Sequence, residues 1–192
     1  MLLPLIVLFG KAPAPGRVKT RLGVDPQRAA DLHSSFVRQT LVMLESFRGD
    51  ADVELSTDEP TQAWSEFPVA RSVQCAGQLG ERIYAALERA LAAGRPKAMI
   101  LGSDSPGLPA AHISALLASP ADVSLGPVDD GGFYAIACGK IASAMFERVR
   151  WSSGDTLSDT VKALTGCGLS VALGPAWFDV DRPEDLTRLA AQ

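Results

Sequence analysis

"LLPLIVLFGKAPAPGRVKT", residues 2–20, decides the fold: an unbroken apolar run ends in a glycine and gives way to a basic, proline-rich loop. A short apolar run without alternation is the mark of a strand buried on both faces, as in parallel sheets covered by helices. The loop invites comparison with a P-loop, and the comparison fails. Gly10 and Gly16 have five residues between them instead of four, Lys19-Thr20 comes two residues late, and Pro13 and Pro15 each remove a backbone N–H donor. The chemistry of the loop survives this failure. Residues 10–24 hold Lys11, Arg17, Lys19 and Arg21 and no acid, so of 18 basic residues 14 remain elsewhere against 22 acidic ones. A +4 segment on a −8 body suits either a focused anion site or a solvated loop.

Outward from this loop, apolar runs alternate with amphipathic segments. Asp25-Pro26 supplies an N-cap and first-turn proline for a helix over "QRAADLHSSFVRQTLVMLESF", and "ADVELST" and "VARSVQC" read as strands. A helix "LGERIYAALERALAAG" closed by Gly94, the strand "KAMILG", the helix "AAHISALLAS" and the strands "ADVSLGP" and "FYAIAC" follow. The pattern then predicts helices over "IASAMFERV" and Thr156–Thr165, a strand "LSVALG" and a short last helix. Such alternation implies an α/β fold with a mainly parallel sheet, helices on both faces and ligands outside the carboxyl ends of the strands. No linker or repeat divides the 192 residues, so one domain over 1–192 is expected.

Net charge −4 argues against general affinity for nucleic acid or anionic membrane, and no run approaches a membrane span. Met1–Phe9 lacks the basic start of a signal peptide and reads as a strand. Cys75, Cys138 and Cys167 are widely spaced and predict reduced thiols in a cytoplasmic protein.

Three of the loops at the carboxyl edge carry aspartates. Asp104, after "AMILG", can hold a divalent cation or serve the turn before the next helix. In "DVDRPEDL", Asp179 and Asp181 share a face if extended, and Asp181 can cap the terminal helix, lie near a metal, or both. "GPVDDGGFYAI" combines acids with glycines that permit close backbone approach or a tight turn. His33 and His112 read as structural, and neither a Ser–His–Asp order, a GxSxG elbow nor a GxGxxG fingerprint occurs. Converging carboxylates beside one basic loop are what phosphoryl or nucleotidyl chemistry requires.

"FGKAPAPGRVKTRL", "GSDSPGLP", "GPVDDGGFYAIA", "VRWSSGDTLSDT" and "DVDRPEDL" together resemble the DUF2064 family of the GT-A, or nucleotide-diphospho-sugar transferase, superfamily, with molybdenum-cofactor and phospholactate guanylyltransferases among its relatives. The resemblance implies a three-layer α/β/α sandwich and a transferase acting on a nucleotide-sugar or nucleoside triphosphate with an unidentified small-molecule acceptor. It places phosphates on Lys11, Gly16, Arg17, Lys19 and Arg21, with Lys19 and Asp104 as the catalytic pair. It also places Mg²⁺ or Mn²⁺ on Asp104 and Asp181, and the acceptor beside Asp130, Gly131 and Gly132. Lys11-Ala12-Pro13 stands where relatives carry glycine and a small hydroxyl residue, which leaves the nucleobase open, as glycosyl against nucleotidyl transfer and oligomeric state are open. The alternative is a non-catalytic nucleotide-binding or regulatory module of the same fold.

Overall fold

The computed structural model describes residues 1–190. Its centre is a seven-stranded sheet in the order β3-β2-β1-β4-β6-β5-β7. The strands are β1 Leu5–Gly10, β2 Asp52–Thr57, β3 Ala70–Val73, β4 Ala98–Gly102, β5 Val123–Pro127, β6 Phe133–Cys138 and β7 Val171–Leu173. All pairings are parallel except those of β6, which runs antiparallel to both β4 and β5. Only five residues join β5 to β6. A parallel crossover needs a dozen or more, so the reversal is forced.

Helices α1 Pro26–Leu44 and α3 Ala110–Ala118 cover one face; α2 Leu79–Ala92 and α4 Thr156–Gly166 cover the other; α5 Pro183–Ala190 ends the described chain. Alternation along β1 assigns the two cores: Ile6 and Leu8 pack with Val37, Leu41 and Ile113, whereas Leu5, Val7 and Phe9 pack with Ile83, Leu87 and Leu164. The α1 start is as its sequence requires, with the Asp25 carboxylate accepting from the N–H groups of Gln27 and Arg28 ahead of Pro26. No helix among the described residues is long and apolar enough to cross a membrane.

The helix expected over "IASAMFERV" is absent. Residues 142–149 form successive turns with i→i+3 bonds from Met145, Glu147 and Val149, and Arg148 reaches φ +61°. The apolar spacing there is still satisfied, because Ile141, Ala142, Met145 and Phe146 pack against the α2/α4 core without a helical ladder.

Because β6 is reversed, its entry lies at the same edge as the ends of β1, β4 and β5. The basic loop, the segment after β4 and the Asp-Gly-Gly loop therefore meet at one edge of the sheet. The segment after β7 joins them through Val180, whose N–H donates to the Asp104 carbonyl over 2.8 Å. A small cluster of Leu22, Phe36, Phe178 and Val180, backed by Leu186 and Leu189, fastens the basic loop, α1, this segment and α5 together.

Candidate functional site

A cleft of about 540 Å³ opens along this edge. Its walls include Lys11, Arg17, Lys19, Arg21, Asp104, Asp130, Gly132 and Asp181 from the sequence-derived set. Gly16 and Gly131 lie outside the lining and shape its loops, both with positive φ.

Lys19 forms the centre of the site. Its side chain is 3% exposed, and its ammonium lies 2.6 Å from Asp104 Oδ1 and 2.9 Å from Asp181 Oδ1. A third donation, of 2.8 Å, goes to the Val180 carbonyl. An ammonium has three N–H donors, and here all three end on protein acceptors. Lys19 also occupies the left-handed region at φ +49°, a conformation that neighbouring contacts must hold in place for a residue with a side chain. The buried ammonium and the two half-exposed carboxylates thus form an ion triad. Burial alone would lower the Lys19 pKa, but the two carboxylates hold it above its ordinary value; Lys19 reciprocally holds the Asp104 carboxyl below its own, against burial.

Asp104 does not cap α3, which begins after Pro109 without a side-chain cap. Asp181 does not cap α5 either: the carboxylate of Asp185 accepts from the N–H groups of Asp181 and Arg182, freeing the Asp181 side chain for Lys19. The Asp104 and Asp181 side chains are 46% and 42% exposed, and no hydrogen bond engages the second oxygen of either among the described residues. Two hard oxygens on neighbouring loops fit Mg²⁺ or Mn²⁺, which takes one or two carboxylates and completes its shell with water and substrate phosphate. Among the described residues no group of three or more His, Cys, Asp or Glu side chains is arranged to hold a metal, so a cation on these two carboxylates would take its other ligands from water and substrate.

Arg17 is occupied as well. Its Nη1 donates 2.9 Å to both oxygens of Glu59, and the loop start is fixed by Ala12 N–H donating 2.7 Å to Asp58. The "TDEP" segment after β2 thus offsets part of the loop's charge, which a count along the chain misses. Lys11 and Arg21 have no ion pair or side-chain hydrogen bond among the described residues. The buried ring of His33 donates from Nε2 to the Lys11 carbonyl over 3.0 Å and lines the cleft behind Lys19; burial lowers its pKa and keeps it neutral.

Asp179 also borders the cleft and accepts a short hydrogen bond from Ser105. Burial pushes its carboxyl up to about 7, and the nearby charges of Asp104 and Asp181 add to this against the Ser105 bond. An acid raised in the fold binds a proton that the unfolded chain would release, so its contribution to stability is full below about 3.8 and declines as pH rises toward 7. Asp179→Asn, which removes the charge and retains an oxygen acceptor, is expected to raise the melting temperature at pH 8 relative to wild type. The difference should shrink toward pH 4. Calorimetry at the two pH values tests this, and a variant destabilised equally at both contradicts it.

In the loop between β5 and β6, Asp130 is turned inward, accepting from Gly132 N–H over 3.0 Å. Gly131 sits at φ +87°, and a Cβ there would lie 2.0 Å from the Gly154 carbonyl oxygen. Leu157 N–H donates 2.8 Å to the Gly131 carbonyl, so the Asp-Gly-Gly loop and the "WSSGDT" loop are seated directly on one another. Phe133, Tyr134 and Trp151 line the cleft; Trp177 does not, and packs on His112 and Phe178. The Trp151 ring lies so close to Gly80, in the first turn of α2, that a Cβ there would come within 2.8 Å.

No protein of curated function matches the sequence. A crystal structure from Desulfovibrio desulfuricans G20, provisionally named a nucleotide-diphospho-sugar transferase, is 31% identical with a TM-score of 0.86, covering 98% of this chain and 87% of that one. Two more distant structures share the fold. The CMP:2-keto-3-deoxy-manno-octonic acid synthetase complexed with CTP is 13% identical with a TM-score of 0.63, over 98% of this chain and 97% of that one. The inositol-1-phosphate CTP transferase from T. maritima is 14% identical with a TM-score of 0.56, over 96% and 91% respectively. Residues 42–153 match the profile of the family described as "Uncharacterized protein conserved in bacteria (DUF2064)". The match extends over more than half of the sequence and agrees with a three-layer α/β fold of the nucleotide-diphospho-sugar transferase type; the chain belongs to the DUF2064 family.

Proposed function

We propose that the chain is a metal-dependent transferase that acts on a nucleoside triphosphate or a nucleotide-sugar. The observation that carries this reading is the convergence of Asp104 and Asp181 on the Lys19 ammonium, with their outer oxygens turned to a cleft that also presents Lys11 and Arg21. The D. desulfuricans relative, by its name, supports the same substrate class.

In this reading Asp104 and Asp181 would hold Mg²⁺ or Mn²⁺, which would supply positive charge against that of the phosphates. Lys19 fixes the two carboxylates in place and contributes no phosphate contact of its own. Lys11 and Arg21 neutralise the phosphate chain. Asp130, Gly131, Gly132 and the aromatic wall of Phe133 and Trp151 shape the space for the acceptor. In nucleotidyl transfer an acceptor oxygen bonds to the α-phosphorus and the bond to the leaving pyrophosphate breaks. In glycosyl transfer the acceptor bonds to the sugar carbon and a nucleoside diphosphate departs.

A panel of nucleoside triphosphates and nucleotide-sugars, incubated with Mg²⁺ and candidate acceptors, tests the reading. Pyrophosphate release assigns nucleotidyl transfer; nucleoside diphosphate release assigns glycosyl transfer. Saturating ligand at about 100 times its Kd stabilises a protein by roughly 2.7 kcal/mol, so a panel that shifts no melting temperature overturns the class.

A further inference from the structure

The cations of the cleft divide by their partners. Arg17 pairs through Nη1 with Glu59, and Lys19 pairs with Asp104, Asp181 and the Val180 carbonyl. A further cation, Arg82, stands on the opposite wall in the first turns of α2 and has no carboxylate partner among the described residues.

Arg82 is nevertheless held in place. Its Nη1 donates 3.0 Å to Gln74 Oε1. Gln74, just past β3, donates its own amide group to the Gly10 carbonyl at 3.3 Å and the Ser56 carbonyl at 3.0 Å, at the ends of β1 and β2. With the amide hydrogens committed to the sheet, the Gln74 oxygen is fixed toward Arg82. The tie occupies one corner of the guanidinium and leaves its other edge, Nε–H and Nη2–H, without an acceptor. Nε is shielded from solvent yet unpartnered, a state that a built polar group rarely keeps without a reason. The free edge has the two-pronged spacing that meets two oxygens of one phosphate.

We propose that Arg82 is a further phosphate-binding residue, gripping the polyphosphate chain of the nucleotide from the wall opposite Asp104 and Asp181, with Gln74 as its positioning residue. The inference rests on the nucleotide reading above and adds to it a residue and a geometry. The two-pronged contact requires the groups that shield Nε to give way to the ligand. A lysine in the same place could supply charge but not the fork.

Titration calorimetry with inorganic pyrophosphate and with orthophosphate, both in the presence of Mg²⁺, tests this on the full chain. Arg82→Met is expected to weaken pyrophosphate binding at least about tenfold, as loss of a two-pronged charged contact does. Arg82→Lys should recover only part of the loss, and Gln74→Ala should weaken binding less than Arg82→Met while leaving orthophosphate unchanged. Arg82→Gln serves if the methionine variant does not fold. Pyrophosphate bound equally by wild type and a folded Arg82 variant overturns the inference, as does a loss confined to orthophosphate. Wild type that binds neither pyrophosphate nor any nucleotide overturns the parent reading. Weakening by Asp104→Asn without weakening by Arg82→Met overturns the role of Arg82 alone.

Discussion

Lys19→Met lowers the melting temperature by roughly 4–8 °C and abolishes transferase turnover, as we expect from its place between two carboxylates. Removing one partner of a buried ion pair costs about 3–5 kcal/mol. Asp104 and Asp181 are each nearly half exposed, so water screens part of the uncovered charge and about 2 kcal/mol remains. For a chain of this length each kcal/mol moves the midpoint by about 2–4 °C. The pH dependence follows from the two shifts. Asp104, depressed, stabilises the fold above its ordinary 3.8 and ceases to do so as pH falls through its lower folded value. Lys19, raised, stabilises below its ordinary 10.5 and ceases as pH rises through its higher folded value. Lys19 also opposes the upward shift of Asp179, so the difference between wild type and variant should be widest from above about pH 7 to about pH 10, narrowing as Asp179 takes up its proton below that range and as Lys19 loses its own above it. A midpoint unchanged at pH 7 would show that the triad holds nothing together.

Asp104→Asn separates chemistry from stability. The amide keeps its shape and leaves Lys19 with Asp181 and the Val180 carbonyl, so the midpoint should fall by less than in Lys19→Met. Turnover should drop by about 10²–10³, the scale set by removing one electrostatic contact that strengthens at the transition state. Product release measured across a Mg²⁺ series checks it. Wild-type turnover in the variant would remove Asp104 from the reaction, while Asp130→Asn, whose carboxylate serves its own turn, should be milder.

The sheet and the convergence of loops were legible because buried strands such as "LIVLFG" and "AMILG" need no tertiary knowledge to recognise. The reversal of β6 was also legible in principle, since five residues cannot carry a crossover. What the chain order conceals is pairing. Lys19 meets partners at positions 104 and 181, Arg17 meets Glu59, and Arg82 meets Gln74; each choice among several cations and acids is made by packing at the cleft edge. The apolar spacing of residues 141–149 misled for the opposite reason. A short segment can bury the same side chains through turns, so periodicity there reports burial without fixing the backbone.

The close seating of Gly131 on Gly154 has a bearing on redesign. Neither loop can be altered there as an independent module: a side chain at 131 has nowhere to go, and lengthening the "WSSGDT" segment would lift the Asp-Gly-Gly turn with it. This side of the cleft is a single lip, and libraries aimed at reshaping it should vary both loops as one linked unit, with the glycine contact left intact.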